Sequence, residues 1–479
     1  MPGRVYALLF FTCLAAYALT FHGNSWNSTT RFALTMSIVR SGTVTIDEFA
    51  AITGDKAEAL GHFVSDKAPG MSLLAVPPTF IADNVRAALG GNPELVRYRV
   101  GDEVAWQIPN ATFYRLLWIA TIATSGLISA FAVLAFCDTL IRLNVAPGTA
   151  LGFAFVFGLG TMQWGWSTAF FGHAAAGAFL VLALWAIVRM TEPDGHARFA
   201  AAGGAGFFVG MAVLTEFPTA IAGALLGLFA LWRLARNAAR SIASAAGIAV
   251  VGAASPLLVL AAYNETAFGD PFNLSYASVV GFEGMRTGIF GVGAPRLDVL
   301  YEIILGGSRG IVWLMPIVLI FPAALIVTWK RLPDIAILSA AIVASFFLIN
   351  AGYVYWDGGW STGPRHVVPA VPFIVLPIAL AYAYLPRWVR ALVVGLAVLG
   401  GLANLVAVTT DMFTHNEGVA GIVLFTWLMP MFLSGVHPGV VFQPLIATRF
   451  AALGLYVAVV GALAVATFLS LRSTGAKSR

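Results

Sequence analysis

Charge is what this sequence has least of. Only 10% of its 479 residues are Asp, Glu, Lys or Arg, whereas 59% are hydrophobic, and the mean hydropathy is +0.86. Soluble domains carry about 25% charged residues, and their surface-to-volume ratio forces polar groups outward, so a soluble fold of this size is excluded. Cysteine is almost absent. Cys13 lies in one apolar run and Cys137 at the end of another, far apart in sequence, and no disulfide framework is implied. Zinc-type spacings such as HExxH or CxxC do not occur, nor does the phosphate-cradling GxxxxGKS, so nothing points to a nucleotide-driven pump. Linkers, low-complexity tracts and a strong internal repeat are also missing, and residues 1–479 read as one membrane domain.

What the chain does have is apolar runs of about 20 residues, each long enough to cross a bilayer as a helix. Lipid admits only helices or closed barrels, and barrel strands would be short and alternating, so helices are expected. Twelve runs stand out: Val5–Phe21, Phe113–Phe136, Ala150–Gly165, Gly172–Arg189, Ala200–Leu214, Thr219–Trp232, Ile242–Ala262, Gly310–Trp329, Ile335–Gly352, Val367–Tyr384, Val389–Thr409 and Phe450–Leu471. The first follows Arg4 but ends in the bulky Thr20-Phe21-His22 rather than a small-residue cleavage site, so it reads as a retained span.

Met71–Leu89 is ambiguous, because it is apolar yet holds Pro77, Pro78, Asp83, Asn84 and Arg86. Sorting charges by side decides it. If it does not cross, fourteen basic and four acidic residues fall inside, a net of +10, and the remainder outside carries −5. If it does cross, the basic Trp232–Arg240 cluster faces outward. Met71–Leu89 is therefore expected at the outer surface, and Gly418–Gly435, with Pro430, likewise. The expectation is an all-α polytopic protein of the cell membrane with both termini cytoplasmic. Four outer segments are long: 22–112, 263–309, 353–366 and 411–449. Almost all carboxylates sit there, which places any chemistry on the extracytoplasmic face.

The first outer segment is the richest. It holds Thr30-Arg31-Phe32, Asp47-Glu48, Gly54-Asp55-Lys56 and Ser65-Asp66-Lys67-Ala68-Pro69-Gly70. Carboxylates and cations beside a membrane suit an anionic lipid head group and a general base. The segment Tyr353–His366 combines Trp356, Asp357, Gly358-Gly359, Trp360 and Gly363-Pro364-Arg365. Aromatic faces suit sugar rings, and Arg365 offers a planar fork for phosphate. His173 and Glu216 fall at outer turns, where an ionisable group is costly and usually faces the bundle interior or a cavity.

These residues together resemble the GT-C superfamily of membrane-integral glycosyltransferases, in the branch of protein O-mannosyltransferases and lipid A aminoarabinose transferases. Thr30-Arg31-Phe32-Ala33, Ser41-Gly42 and Asp66-Lys67-Ala68-Pro69 follow that branch's order and spacing. Leu214-Thr-Glu216-Phe-Pro218 is similar to its Leu-Thr-Lys-Gly-Pro turn with Glu for Lys. Trp360-Ser-Thr-Gly-Pro-Arg365-His is similar to a Trp-Ser-Tyr-Gly-Pro-Arg-Tyr signature of bacterial members. One departure is that the acidic pair expected before Thr30-Arg31 is replaced by Asn27-Ser28-Thr29.

The resemblance implies transfer of a sugar from a polyprenyl-phosphate donor to a glycan, lipid or protein acceptor, by single displacement with inversion. Asp47 ranks first as the base, ahead of Asp66 and Glu48. Lys67, Arg365 and Arg309 are expected on the donor phosphate. Arg31, Asp55, His173, Glu216, Tyr276, Trp356, Asp357 and Trp360 are expected around the substrate. No metal ligand is indicated, although a divalent cation is left open, and no nucleic-acid partner is expected. The competing class is a secondary transporter or lipid flippase, which would need an internal repeat and polar midplane residues on broken helices; the spans here are poor in such charges.

Overall fold

The computed structural model describes residues 1–476 apart from 93, 101–102, 193–197, 416–418, 447 and 449. Asp194, Lys477 and Arg479 of the inside charge set, and Gly418, lie outside the described residues. All twelve apolar runs are helical. Nine helices among the described residues are long and apolar enough to cross a membrane: Ala111–Arg142, Gly172–Met190, Arg198–Thr215, Thr219–Asn237, Ala239–Phe268, Pro333–Gly352, Arg365–Tyr384, Arg387–Thr409 and Ala451–Ser473. The other three, Gly3–Ala18, Pro147–Leu159 and Pro316–Trp329, are shorter. At ~1.5 Å per residue they reach roughly 20–24 Å, against a hydrocarbon core of about 30 Å. Twelve helices are there, but length and composition establish nine as spans.

Small residues set the tightest crossing. Arg198–Thr215 meets Ala239–Phe268 so closely that a Cβ on Gly206 would come 1.8 Å from the Ala249 carbonyl oxygen, and one on Gly252 would come 2.2 Å from that of Gly203. With lipid tails as apolar as leucine, such backbone proximity is what holds membrane helices together.

The first outer segment is not purely helical. Trp26–Ser41 starts on Ser25, whose hydroxyl accepts from Ser28 N, and stops at Gly42 with φ +65°. Two short antiparallel hairpins follow it, Ala57–Ala59 with His62–Val64 and Leu95–Val100 with Glu103–Pro109. The first turns through Leu60 and Gly61, both at positive φ, as a two-residue hairpin turn requires. Apart from these two hairpins the named elements of the described residues are helical, as the sequence led one to expect.

Met71–Leu89 is the helix Gly70–Ala88, with both prolines inside it. Met71, Ala75, Thr79 and Asp83 are buried, while Phe80, Ile81 and Val85 are exposed. That is one inward and one outward stripe at helical spacing. Its far end is fixed by ion pairs from Arg40 and Arg86 to Asp83 at 3.1 and 2.8 Å, and Arg40 also pairs with Glu94.

Candidate functional site

Two helix starts and one helix end meet beside the first outer segment, and glycine permits it. A Cβ on Gly70 would sit 2.7 Å from the Leu214 carbonyl oxygen, and one on Gly172 would sit 2.2 Å from Glu216 Oε1. The helix Gly172–Met190 therefore starts directly against the turn that carries Glu216.

Arg31, buried on Trp26–Ser41, reaches into this junction. Its Nη2 donates to Glu216 Oε1 at 2.6 Å, Nε to Asn27 Oδ1 at 3.0 Å and Nη1 to the Ala68 carbonyl at 2.9 Å. One guanidinium thus ties the helix, the Asp66-Lys67-Ala68 loop and the Glu216 turn together. Burial pushes the Glu216 carboxyl up, and Arg31, Arg365 and Lys67 pull only part of that back. His173 lies next to it, with Nδ1 3.6 Å from Glu216 Oε1.

Lys67 sits between two carboxylates, 2.6 Å from Asp66 and 3.1 Å from Asp55. Burial pulls the ammonium down, but the two carboxylates outweigh it and hold Lys67 up at about 12. Asp66 is wholly buried. Desolvation, partly offset by Lys67 and reinforced by Asp55, raises it to about 6. Its Oδ1 has no hydrogen-bond partner. The side chains of Lys67 and Asp55 keep 11% exposure, whereas that of Asp66 has none, so Asp55 is at the reachable edge of the trio.

Arg365 completes the cluster from the start of Arg365–Tyr384. It lies over the Phe171 ring at 5.0 Å. Its buried Nε has no hydrogen-bond partner, and among the described residues no carboxylate forms an ion pair with it. Gly358, at φ +72°, keeps the backbone close, because a Cβ there would come 2.9 Å from Arg365 Nε. His366 Nδ1 bonds Asn350 Oδ1 at 2.8 Å, and its ring lies 5.5 Å from that of His173 and 5.3 Å from that of Tyr353.

The structure therefore brings together Arg31, Asp55, Asp66, Lys67, His173, Glu216 and Arg365, with Tyr276 against Phe217 at 5.4 Å. Other candidates lie elsewhere. Asp47 starts a short 3-10 turn with Glu48, outside the cluster. Its side chain is 44% exposed, accepts from Phe63 N at 2.7 Å and faces His62 Nδ1 at 2.8 Å. Arg309 donates to the carbonyls of Asp357, Gly359, Thr414 and Ser308. Four of its five N–H groups are taken by main chain, which makes it a clamp on the 357–359 loop. Burial lowers it to about 10. Trp356 is half-buried on the core, and Trp360 is exposed over His415. Asn350, Tyr353 and His366 were not singled out from sequence. Two histidines and a tyrosine at adjoining helix mouths were the available signal. Among the described residues, no three His, Cys, Asp or Glu side chains group as a metal ion would need.

No family model and no curated relative matches the sequence. Solved structures do match. ArnT from Cupriavidus metallidurans bound to undecaprenyl phosphate aligns with 99% of this chain and 78% of its own at TM-score 0.53 and 14% identity. The same protein in the apo state aligns with 96% and 76% at 0.52 and 14%. The chain shares the fold of ArnT. The archaeal oligosaccharyltransferase AglB from Archaeoglobus fulgidus, in complex with an inhibitory peptide and a dolichol-phosphate, covers 87% of this chain and 57% of its own at 13% identity and TM-score 0.44. Within this fold, the Glu216 turn now has a physical reading. The resemblance leads one to expect acids ahead of Thr30-Arg31 and a lysine at 216. Here the acids are gone, and Glu216 supplies the carboxylate that faces Arg31.

Proposed function

We propose that this protein is a glycosyltransferase that moves a sugar from a polyprenyl-phosphate donor to an acceptor hydroxyl at the Asp55–Lys67–Arg365 cluster. The observation that carries this reading is Arg365, a half-buried side chain whose buried Nε has no hydrogen-bond partner, set beside carboxylates that share one lysine. Among the described ionic groups, Arg31 is paired with Glu216, and Lys67 is held by Asp55 and Asp66. The cluster so has a cation without a carboxylate in contact at Arg365 and an excess negative charge around Lys67. An anion is favoured at the first and a proton at the second. The fold it shares with a protein solved with undecaprenyl phosphate supports the donor class.

In this reading the donor phosphate docks on Arg365, and the isoprenoid tail lies in lipid. The acceptor oxygen attacks the anomeric carbon from the face opposite the phosphate, and the sugar–phosphate bond breaks with inversion. The acceptor proton passes to Asp55, the carboxylate at the exposed edge. The released phosphate ester gains negative charge as the bond breaks, so Arg365 stabilises the transition state more than the ground state. Lys67, already flanked by two carboxylates, fixes their geometry and adds its charge from the acceptor side. The active site faces the extracytoplasmic side, because the charge-sorted topology puts this end of the bundle there.

The test is transfer of labelled sugar from a polyprenyl-phosphate donor in membranes. Arg365→Ala should lose about 10²–10³ in turnover, the usual cost of one donor to a developing anion. Arg365→Lys should remain impaired, because the charge stays but the planar fork is lost. Asp55→Asn should lower turnover and leave donor binding nearly intact. Near-normal transfer by folded Arg365→Ala would refute the assignment and return the transporter reading.

A further inference from the structure

A groove with a volume of about 550 Å³ is lined by none of the residues of the polar cluster. The short helix Pro147–Leu159 forms its floor, and Arg387–Thr409, Ala451–Ser473 and Tyr382 form its walls. Gly152, Phe155, Tyr382, Ala397, Gly401 and Phe468 line it. Phe155 stacks on Phe468 at 5.3 Å, and Phe153 meets Tyr382 edge-on at 5.4 Å, so the floor helix is braced against two of its neighbours. Its volume is in the range of small-ligand sites, about 300–1,000 Å³. Every wall belongs to a helix of the lipid-embedded part, so the occupant is apolar along its length.

What selects among apolar occupants is the rim. On Arg387–Thr409 the lining positions Val393, Val394, Ala397, Val398 and Gly401 form one helical stripe, and Arg390 stands one turn before it on that stripe. On Ala451–Ser473, Arg472 stands one turn beyond the lining Phe468. Both arginines are at least partly exposed, and neither forms an ion pair among the described residues. Two cations at one end of an apolar slot complement a molecule with a single anionic head and a long hydrocarbon tail. Charge sorting sets this end toward the cytoplasmic leaflet, where anionic phospholipids supply the negative surface potential.

We infer that this groove binds one acyl chain of an anionic phospholipid, with Arg390 and Arg472 on its phosphate. The bound lipid fills the space left by the shortness of Pro147–Leu159 and belongs to the leaflet opposite the transfer site. The site is independent of the sugar-transfer reading.

Native mass spectrometry of the full chain released from nanodiscs of equal parts phosphatidylglycerol and phosphatidylcholine tests this. The wild type should retain one phosphatidylglycerol. Its preference over phosphatidylcholine should be about fivefold per arginine, or roughly 30-fold for both. The double variant Arg390→Gln/Arg472→Gln should retain either lipid equally. Gly152→Phe should lose both lipids, since a Cβ on Gly152 meets nothing within 4 Å and the ring is directed into the groove that Gly152 lines. Equal retention by the wild type, or an unchanged preference in the double arginine variant, overturns the proposal. So does one-for-one displacement of phosphatidylglycerol by added undecaprenyl phosphate, which would make the groove the donor's own.

Discussion

At the scale of single residues, burial decides which charges matter. Arg31 and Glu216 have side chains exposed by only 2% and 7%, and removing one partner of such a pair leaves an uncompensated charge that costs about 3–5 kcal/mol. Glu216→Gln should therefore lower the thermal midpoint of the purified protein sharply, and the double variant Arg31→Gln/Glu216→Gln should recover part of the loss. Additive losses in the double variant would show that the two groups are not coupled. Asp66 makes a second prediction. Raised to about 6 by burial, it binds a proton below that pH and releases it above. Only the ionised form holds Lys67, so transfer should rise as pH increases through about 6. In Asp66→Asn this limb should vanish, with turnover pinned near the low-pH level of the wild type; a limb that persists in the variant assigns it to another group.

At the scale of elements, the crossing of Arg198–Thr215 with Ala239–Phe268 rests on backbone contact, and it orients the Leu214–Thr215 backbone that meets Gly70. Gly206→Leu should sharply reduce the yield of monodisperse protein, since its Cβ would be driven into the Ala249 carbonyl. Gly204→Ala on the same helix should be tolerated, because its Cβ approaches only Phe208 at 3.8 Å. Equal behaviour of the two variants, measured by size-exclusion profile and thermal midpoint, would remove close packing as the cause. The Gly70–Ala88 helix is apolar on one side yet is not among the nine helices long and apolar enough to cross a membrane. Its buried stripe faces the bundle, and its exposed Phe80, Ile81 and Val85 suit the interface plane rather than the bilayer core.

For the whole molecule, the charge-sorted topology is open to direct measurement. Cys13 and Cys137 are buried, so new cysteines report against a quiet background. Single cysteines at Leu60 and Asn237 should label from opposite sides of the membrane, Leu60 from outside. Labelling of both from one side would overturn the topology and, with it, the outward-facing site.

The sequence by itself determined the class of this protein, because 10% charge and apolar runs of helical length leave lipid-embedded helices as the only way to satisfy the backbone. It also led to the expectation that Met71–Leu89 stays at the surface, through the prolines and charges it carries. Among site residues it pointed to Asp66, Lys67, Glu216 and Arg365, since ionisable groups beside long apolar runs are costly unless they serve one another. It ranked the carboxylates, Asp47 first, on local context alone. Asp47 and Asp55 are equally acidic on paper, yet the hairpin that follows turns Asp47 toward His62 and solvent, and Lys67 draws Asp55 inward. It could not show that Arg309 has its donors occupied by carbonyls, or that Glu216 answers Arg31 from 185 positions away. Those assignments depend on where a side chain's partners lie in space, and long-range pairing leaves no local periodicity in the chain to read.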